Sequence, residues 1–277
     1  MLVVQLAARS HPGLAETEES CRYQVSSTAG RYPYMVSIRR AGSHEHVCTG
    51  ILVHPKYVVT AAHCVDFESV YSAGRRPLVH IGPTSVHYTD ERVEMMVVER
   101  TVIHPRWQVQ KQQNSAFNLA LMELPKPSQH QVPHVLSDHV HLRTGQQLSA
   151  LGWGSYDSGP SLGGDIFGGL KIESQTFIDG NGCNRANLWN GSIPSGLVCG
   201  LNEIQKASCL VDSGGPLMLL DMPNYDVRRG DPKFDFLAGI NIDGEPCGSP
   251  GKPDVYLDIR EHLKWIELSI GADGVDK

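Results

Sequence analysis

No apolar run in this chain of 277 residues is long enough to cross a bilayer, so no membrane-spanning helix is expected. Positive charge is also short: 24 Lys and Arg stand against 30 Asp and Glu, for a net charge of -6. No basic stripe is visible, which argues against nucleic acid as a partner. None of the seven cysteines forms a Cys-x-x-Cys pair, so a zinc site is not expected. Cysteines spaced this far apart point instead to disulfides, and hence to an oxidising, extracellular setting for a secreted chain. The histidines His44, His46, His87, His104, His130, His134, His139 and His141 show no ligand spacing and read as surface residues. Neither a metal nor a cofactor is implied. There is no legible internal repeat.

Turn-formers are plentiful, with 28 Gly and 17 Pro. Between them lie short β-rich runs: Met35 to Ile38, Val47 to Val53, Tyr57 to Thr60, Leu78 to Ile81, Val93 to Val98 and Leu119 to Leu124. Others follow at Gln147 to Leu151, Leu170 to Ile178, Gly196 to Cys199, Pro216 to Leu220, Phe236 to Ile242 and Val255 to Asp258. Many short strands at even spacing predict β-barrels or sandwiches rather than βαβ units. Pro125 to Pro133 reads as a linker, 154–169 as a surface loop, and 221–235 as a long hairpin insertion. Ile259, Leu263, Ile266 and Ile270 give one apolar face to a closing helix. Residues 1–29 read as a disordered leader or pro-segment, with Leu2 to Ala8 a candidate signal-peptide stub, and 271–277 as a tail. Asn190-Gly191-Ser192 fits an N-glycosylation acceptor.

Two stretches carry chemistry. In Ala207 to Leu217, Ser213 sits between Asp212 and the pair Gly214-Gly215, on a turn that glycine favours. Cys209 lies four residues earlier and could tie that turn to another loop. By itself this is equally a Gly-rich turn with a surface Ser. In Thr60-Ala61-Ala62-His63-Cys64, however, a His between small residues runs directly into a Cys, which offers a general base anchored by a disulfide. A Ser hydroxyl needs such a base to be nucleophilic at neutral pH.

The two stretches, in this order, resemble those of the chymotrypsin-like serine proteases. Gly152-Trp153-Gly154 matches that family's Gly-Trp-Gly turn, and Cys247-Gly248 with Pro253-Asp254-Val255-Tyr256 matches its pocket-closing segment. The resemblance covers about residues 30–270, a single protease domain. It implies an all-β fold of two packed six-stranded Greek-key β-barrels with a C-terminal helix. It implies the disulfides Cys48–Cys64, Cys183–Cys199 and Cys209–Cys247. Cys21 is left over, free or bridging to another chain; otherwise a monomer is expected. His63 would be the base and Ser213 the nucleophile, with protein or peptide chains as substrates or partners.

The departures bear on activity. The family's triad Asp opens a strand that here reads Asn118-Leu119-Ala120-Leu121-Met122-Glu123-Leu124, and no Asp occurs between Asp90 and Asp138. In the worked Ser-His-Asp case of this same family, Asp to Asn lowers kcat about 10⁴-fold. Val211 stands where the family has an oxyanion-hole Gly; the other hole donor would be the Ser213 N–H. Losing one hole donor costs about 10² to 10³ in kcat. No Ile-Val-Gly-Gly stretch precedes Gly30 to supply the amino terminus that pairs with the acid before the nucleophile, so Asp212 is expected to lack its partner. The specificity pocket would hold Ala207 at its base, Gly244 at its entrance and Asp254 on its wall. A carboxylate at Asp254 would favour Arg or Lys; the plainer reading is a solvated loop acid. Ile242 and Asp243 replace the Ser-Trp pair of the substrate-binding strand. Two functions follow: a secreted trypsin-like serine endopeptidase of impaired turnover, or an inactive homologue acting as a binding or regulatory module.

Overall fold

The computed structural model describes residues 24–26, 30–87, 90–110, 115–154, 168–202, 212–242 and 252–271. Strand β1 (Gln24–Ser26) lies at the end of the expected disordered leader, yet it pairs into a sheet. Seven strands then form the first sheet: β2 (Met35–Arg39), β3 (His46–His54), β4 (Tyr57–Thr60), β5 (Leu78–Ile81), β6 (Glu94–Val97), β7 (Arg100–Ile103) and β8 (Ala120–Glu123). Their order is β6-β5-β2-β3-β4-β8-β7. Only Val98 and Glu99 separate β6, which pairs with β5, from β7, which pairs with β8. The chain thus carries the curvature around a corner by changing partners at a bend, giving a barrel-like half of the molecule. A four-residue helix α1 (Trp107–Gln110) sits between β7 and β8.

The second sheet contains β9 (His134–Val135), β10 (Gln147–Gly152), β11 (Lys171–Ile178), β12 (Leu197–Asn202), β13 (Pro216–Leu219), β14 (Phe236–Asn241) and β15 (Asp254–Asp258). Its path β11-β10-β13-β14-β15-β12 closes because β12 also pairs with β11. It is a closed six-stranded barrel, with β1 added to β11 and β9 parallel to β14. Helix α2 (Gly180–Cys183) opens the loop to β12, its first turn capped by the Asp179 carboxylate on the Gly182 N–H. Helix α3 (Leu263–Gly271) ends the described chain after a 3-10 turn. The chain is therefore mostly β, with a short closing helix.

Strand burial explains the sequence pattern. β2, β4 and β8 are buried at every position. Strands buried from end to end, even at Ser37, Arg39 and Glu123, are covered on both faces rather than half-wet. The 221–235 connection joins the antiparallel neighbours β13 and β14 through two short 3-10 turns, a long hairpin. It is pinned from outside: Arg31, 5% exposed, pairs with the fully buried Asp235 and donates to the carbonyls of Asp221 and Arg229. Tyr34 Oη donates to the same carboxylate and Tyr32 Oη to the Val227 carbonyl.

Candidate active site

His63 lies on a buried 3-10 turn, Ala62–Cys64, that leaves β4. The small side chains of Ala61 and Ala62 let this turn pack fully into the core. Cys64 is disulfide-bonded to Cys48 of β3, so the residue after His63 is covalently fixed to the sheet. Asn118, fully buried, precedes β8 and reaches the same turn. Its Oδ1 accepts the His63 backbone N–H at 3.0 Å and its Nδ2 lies 2.8 Å from His63 Nδ1. The backbone N–H can only donate, so the amide oxygen must face it. The amide nitrogen then donates to Nδ1, and the ring proton of neutral His63 belongs on Nε2. His63 Nε2 is buried with no hydrogen-bond partner among the described residues. Burial lowers the His63 pKa to about 4.

Ser213 sits on a tight turn closed by Gly215 N–H donating to the Asp212 carbonyl at 2.8 Å. Gly214 has φ +80°, and a Cβ there would lie 2.1 Å from the Thr49 carbonyl oxygen and 2.3 Å from Thr60 Oγ1. No side chain fits that position, so the turn demands glycine. The Ser213 carbonyl accepts Thr49 N–H at 2.9 Å and lies 3.7 Å from Cys64 Sγ. The Ser turn of the second barrel and the His turn of the first are therefore brought together.

Asp212 does not lack partners. Its Oδ2 accepts from Thr49 Oγ1 at 2.9 Å and from the Trp153 backbone N–H at 2.9 Å. His46 Nε2 stands 3.5 Å away, an electrostatic contact longer than a hydrogen bond. Behind it, His46 Nδ1 is 2.9 Å from Ser37 Oγ, which accepts Arg39 Nε–H at 3.0 Å. These internal groups engage the acid that, by the resemblance, an inserted amino terminus would pair with. His46 was read as a surface residue, and that reading fails: its side chain is 9% exposed. The signal lay in its position two residues before Cys48, on the face of β3 that carries the tether of the His turn. His104 is likewise buried, while His44, His87, His134, His139 and His141 are exposed.

Asp254 is not a solvated loop acid. It opens β15 at 5% exposure and accepts from Gln175 Nε2 at 3.3 Å. Asn190 is exposed in a turn, with φ +48°, inside the loop closed by the disulfide Cys183–Cys199. Ala207, Val211, Asp243, Gly244, Cys21 and the Cys209–Cys247 pair lie outside the described residues. Cys48, His63 and Cys64 cluster tightly enough to suggest a metal, but both sulfurs are spent on the disulfide and offer no thiolate.

A barrel-like sheet and a closed barrel, joined at a His turn and a Ser-Gly-Gly turn with a half-buried acid beside the Ser, define the two-barrel class of serine hydrolases. A sequence model of the family described as Trypsin matches residues 23–266, and the chain belongs to this family of serine proteases. It is similar to granzyme M of Homo sapiens, 34% identical over 243 residues, which span 86% of this chain and 84% of that protein. Chymotrypsin-like elastase family member 1 of Homo sapiens is 25% identical over 270 residues, 92% of this chain and 95% of its own. Tryptase of Mus musculus is 27% identical over 280 residues, covering 95% and 93%.

Proposed function

We propose that this chain is a secreted, trypsin-like serine endopeptidase homologue whose turnover is held low by Asn118. Ser213 is the nucleophile and His63 its base. The N–H groups of Val211 and Ser213 form the oxyanion hole, and Ala207, Gly244 and Asp254 belong to the specificity pocket. The observation that carries this reading is the two-point grip of Asn118 on His63 N and Nδ1. It favours the ring form with its proton on Nε2, which can donate towards a Ser hydroxyl but cannot take its proton. An amide also cannot stabilise the imidazolium that the reaction generates. The expected loss is about 10⁴-fold, or roughly 5.5 kcal/mol of barrier. The internal engagement of Asp212 favours a second reading, a non-catalytic module that keeps the fold and binds protein chains.

Fluorophosphonate labelling separates the two. Slow labelling that is lost in Ser213→Ala and accelerated in Asn118→Asp is the expected result for the impaired enzyme. Folded protein that stays unlabelled in both the parent and Asn118→Asp is the result for the module. Secretion is checked by expressing the full-length precursor in cultured cells and measuring its share in the medium.

A further inference from the structure

We infer that Asn190 carries an N-linked oligosaccharide that shields the turn it stands on. The inference rests on the secreted reading of the chain. Asn190-Gly191-Ser192 is the one Asn-x-Ser or Asn-x-Thr tripeptide in the sequence, and its middle residue is not proline. All three residues are exposed. A Cβ added to Gly191 would meet no atom within 4 Å, so the apex of the turn opens on free space. The Asn190 side chain makes no hydrogen bond among the described residues. Asn184, earlier in the same turn, is the opposite case. Its Nδ2 donates to the Ile193 carbonyl at 2.8 Å and its Oδ1 accepts the Ile193 N–H at 2.9 Å. One asparagine is spent on the architecture of the turn, and the other is left at its apex.

The apex is held from behind. Asn190 N–H donates to the Arg185 carbonyl at 3.0 Å, Gly191 N–H to that of Asn184 at 3.1 Å and Ser192 N–H to that of Trp189 at 3.0 Å. Trp189 Nε1 donates in turn to the Pro253 carbonyl at 3.1 Å, and the Lys252 ammonium lies 4.5 Å over the indole ring. The disulfide Cys183–Cys199 closes the base of the loop. The left-handed backbone at Asn190, φ +48°, suits asparagine better than most residues. A sugar rooted on Asn190 therefore has a fixed stem, and no side-chain hydrogen bond breaks to admit it. The donor is an oligosaccharide on a polyisoprenyl pyrophosphate. The bond from its first sugar carbon to the pyrophosphate oxygen breaks and a bond from that carbon to Asn190 Nδ2 forms. One amide proton is released together with the lipid pyrophosphate. Arg185 is exposed, and its carbonyl is the group that the Asn190 N–H is bonded to. The Arg185–Ala186 peptide thus lies at the root of the glycan, and a bulky, hydrated chain there keeps a protease that cuts after basic residues away from it.

The test expresses the full chain behind a cleavable secretory signal in cultured mammalian cells. The expected result is a gel shift on treatment with peptide N-glycosidase F, with Asp found at position 190 by peptide mass mapping. Asn190→Gln and Ser192→Ala should lose both signs, and Ser192→Thr should keep them. Chain that has lost the added signal but bears no glycan at Asn190 overturns the inference. A native precursor that stays inside the cell is a failure of the secretion reading, and the measurement of its share in the medium shows that separately. Shielding is read with added trypsin on proteins shown to be folded by circular dichroism. Cleavage after Arg185 should be faster in both Asn190→Gln and Ser192→Ala than in the parent. Equal rates overturn the shielding. So does a rise in Asn190→Gln alone, which reports strain from Gln at a left-handed position.

Discussion

At the scale of single residues, the balance of the site turns on which atom of Asn118 faces which atom of His63. A carboxylate in that place would accept from both the backbone N–H and Nδ1–H, leaving Nε2 free to take a proton. Asn118→Asp should raise kcat/KM for peptide esters, but by less than the full ~10⁴-fold if, as proposed, Val211 in place of Gly supplies an oxyanion-hole donor. Val211→Gly alone should also help little, since His63 keeps the unproductive tautomer, and the double variant should gain by orders of magnitude. If both repairs are silent in a folded protein, an Ile-Val-Gly-Gly amino terminus grafted onto the double variant tests whether the hold on Asp212 is limiting. A graft that still gives no hydrolysis makes Ile242 and Asp243 the next suspects. His63, Asn118 and Ser213 were legible in the sequence because each lies in a short contiguous motif. His46 was not, because a lone histidine carries no motif, and its contact with Asp212 exists only once β3 and the Ser turn have met across the barrel junction.

At the scale of elements, the Ser turn is the least tolerant piece of backbone in the site. Gly214→Ala would place a methyl against the Thr49 carbonyl and Thr60 Oγ1 at a positive φ. Thr60 Oγ1 already donates to that carbonyl at 2.8 Å, so neither neighbour can withdraw freely. The variant should lose about 3 kcal/mol or more, by combined strain and overlap, measured as a lower urea midpoint with an unchanged m-value. Most strands were legible because they are short apolar runs bounded by turn residues. Those that escaped are short or amphipathic. Strand β1 has three residues, β9 has two, and β7 reads Arg-Thr-Val-Ile, half exposed and continuous with β6 apart from a two-residue bend. Nothing local marks such a segment as a strand; its partners do. The same reasoning explains Asp254, whose carboxylate looks like a loop residue until its β12 neighbour Gly200 and Gln175 are placed beside it.

At the scale of the whole molecule, two joints link distant parts of the chain, and the first is an ion pair. Arg31, just before β2, is joined to Asp235 at the edge of β14; burial works against the guanidinium charge, but the hydrogen bond and charge of Asp235 outweigh it and raise the Arg31 pKa. Arg31→Met would strand a fully buried carboxylate and should cost about 3 to 5 kcal/mol in denaturant unfolding. The second joint is aromatic. His262, on the turn before α3, meets His104 at 5.5 Å, and His104 stacks on Phe117 at 5.1 Å and touches Trp265 at 4.9 Å. Arg106 lies over Phe117, and Asp258 precedes the turn. Burial lowers the pKa of both histidines, that of His262 to about 4; Arg106 adds to the shift at His104 and His104 to that at His262, where a backbone hydrogen bond with Ala116 and the Asp258 charge oppose it. The unfolded chain, with His near 6.5, binds protons that the folded chain refuses, so stability rises with pH across this window. It is fully present above about pH 6.5 and is lost as pH falls towards 4. His262→Gln should flatten that slope by up to about 3 kcal/mol, measured as Tm against pH. The neighbourhood of His104 and Trp265 also makes the joint visible to light. A protonated imidazole accepts an excited electron from indole far better than a neutral one does. The steady-state emission of Trp265, isolated by difference from Trp265→Phe, should therefore dim as acid reaches His104, reporting protonation of that ring while the closing helix is still docked against it.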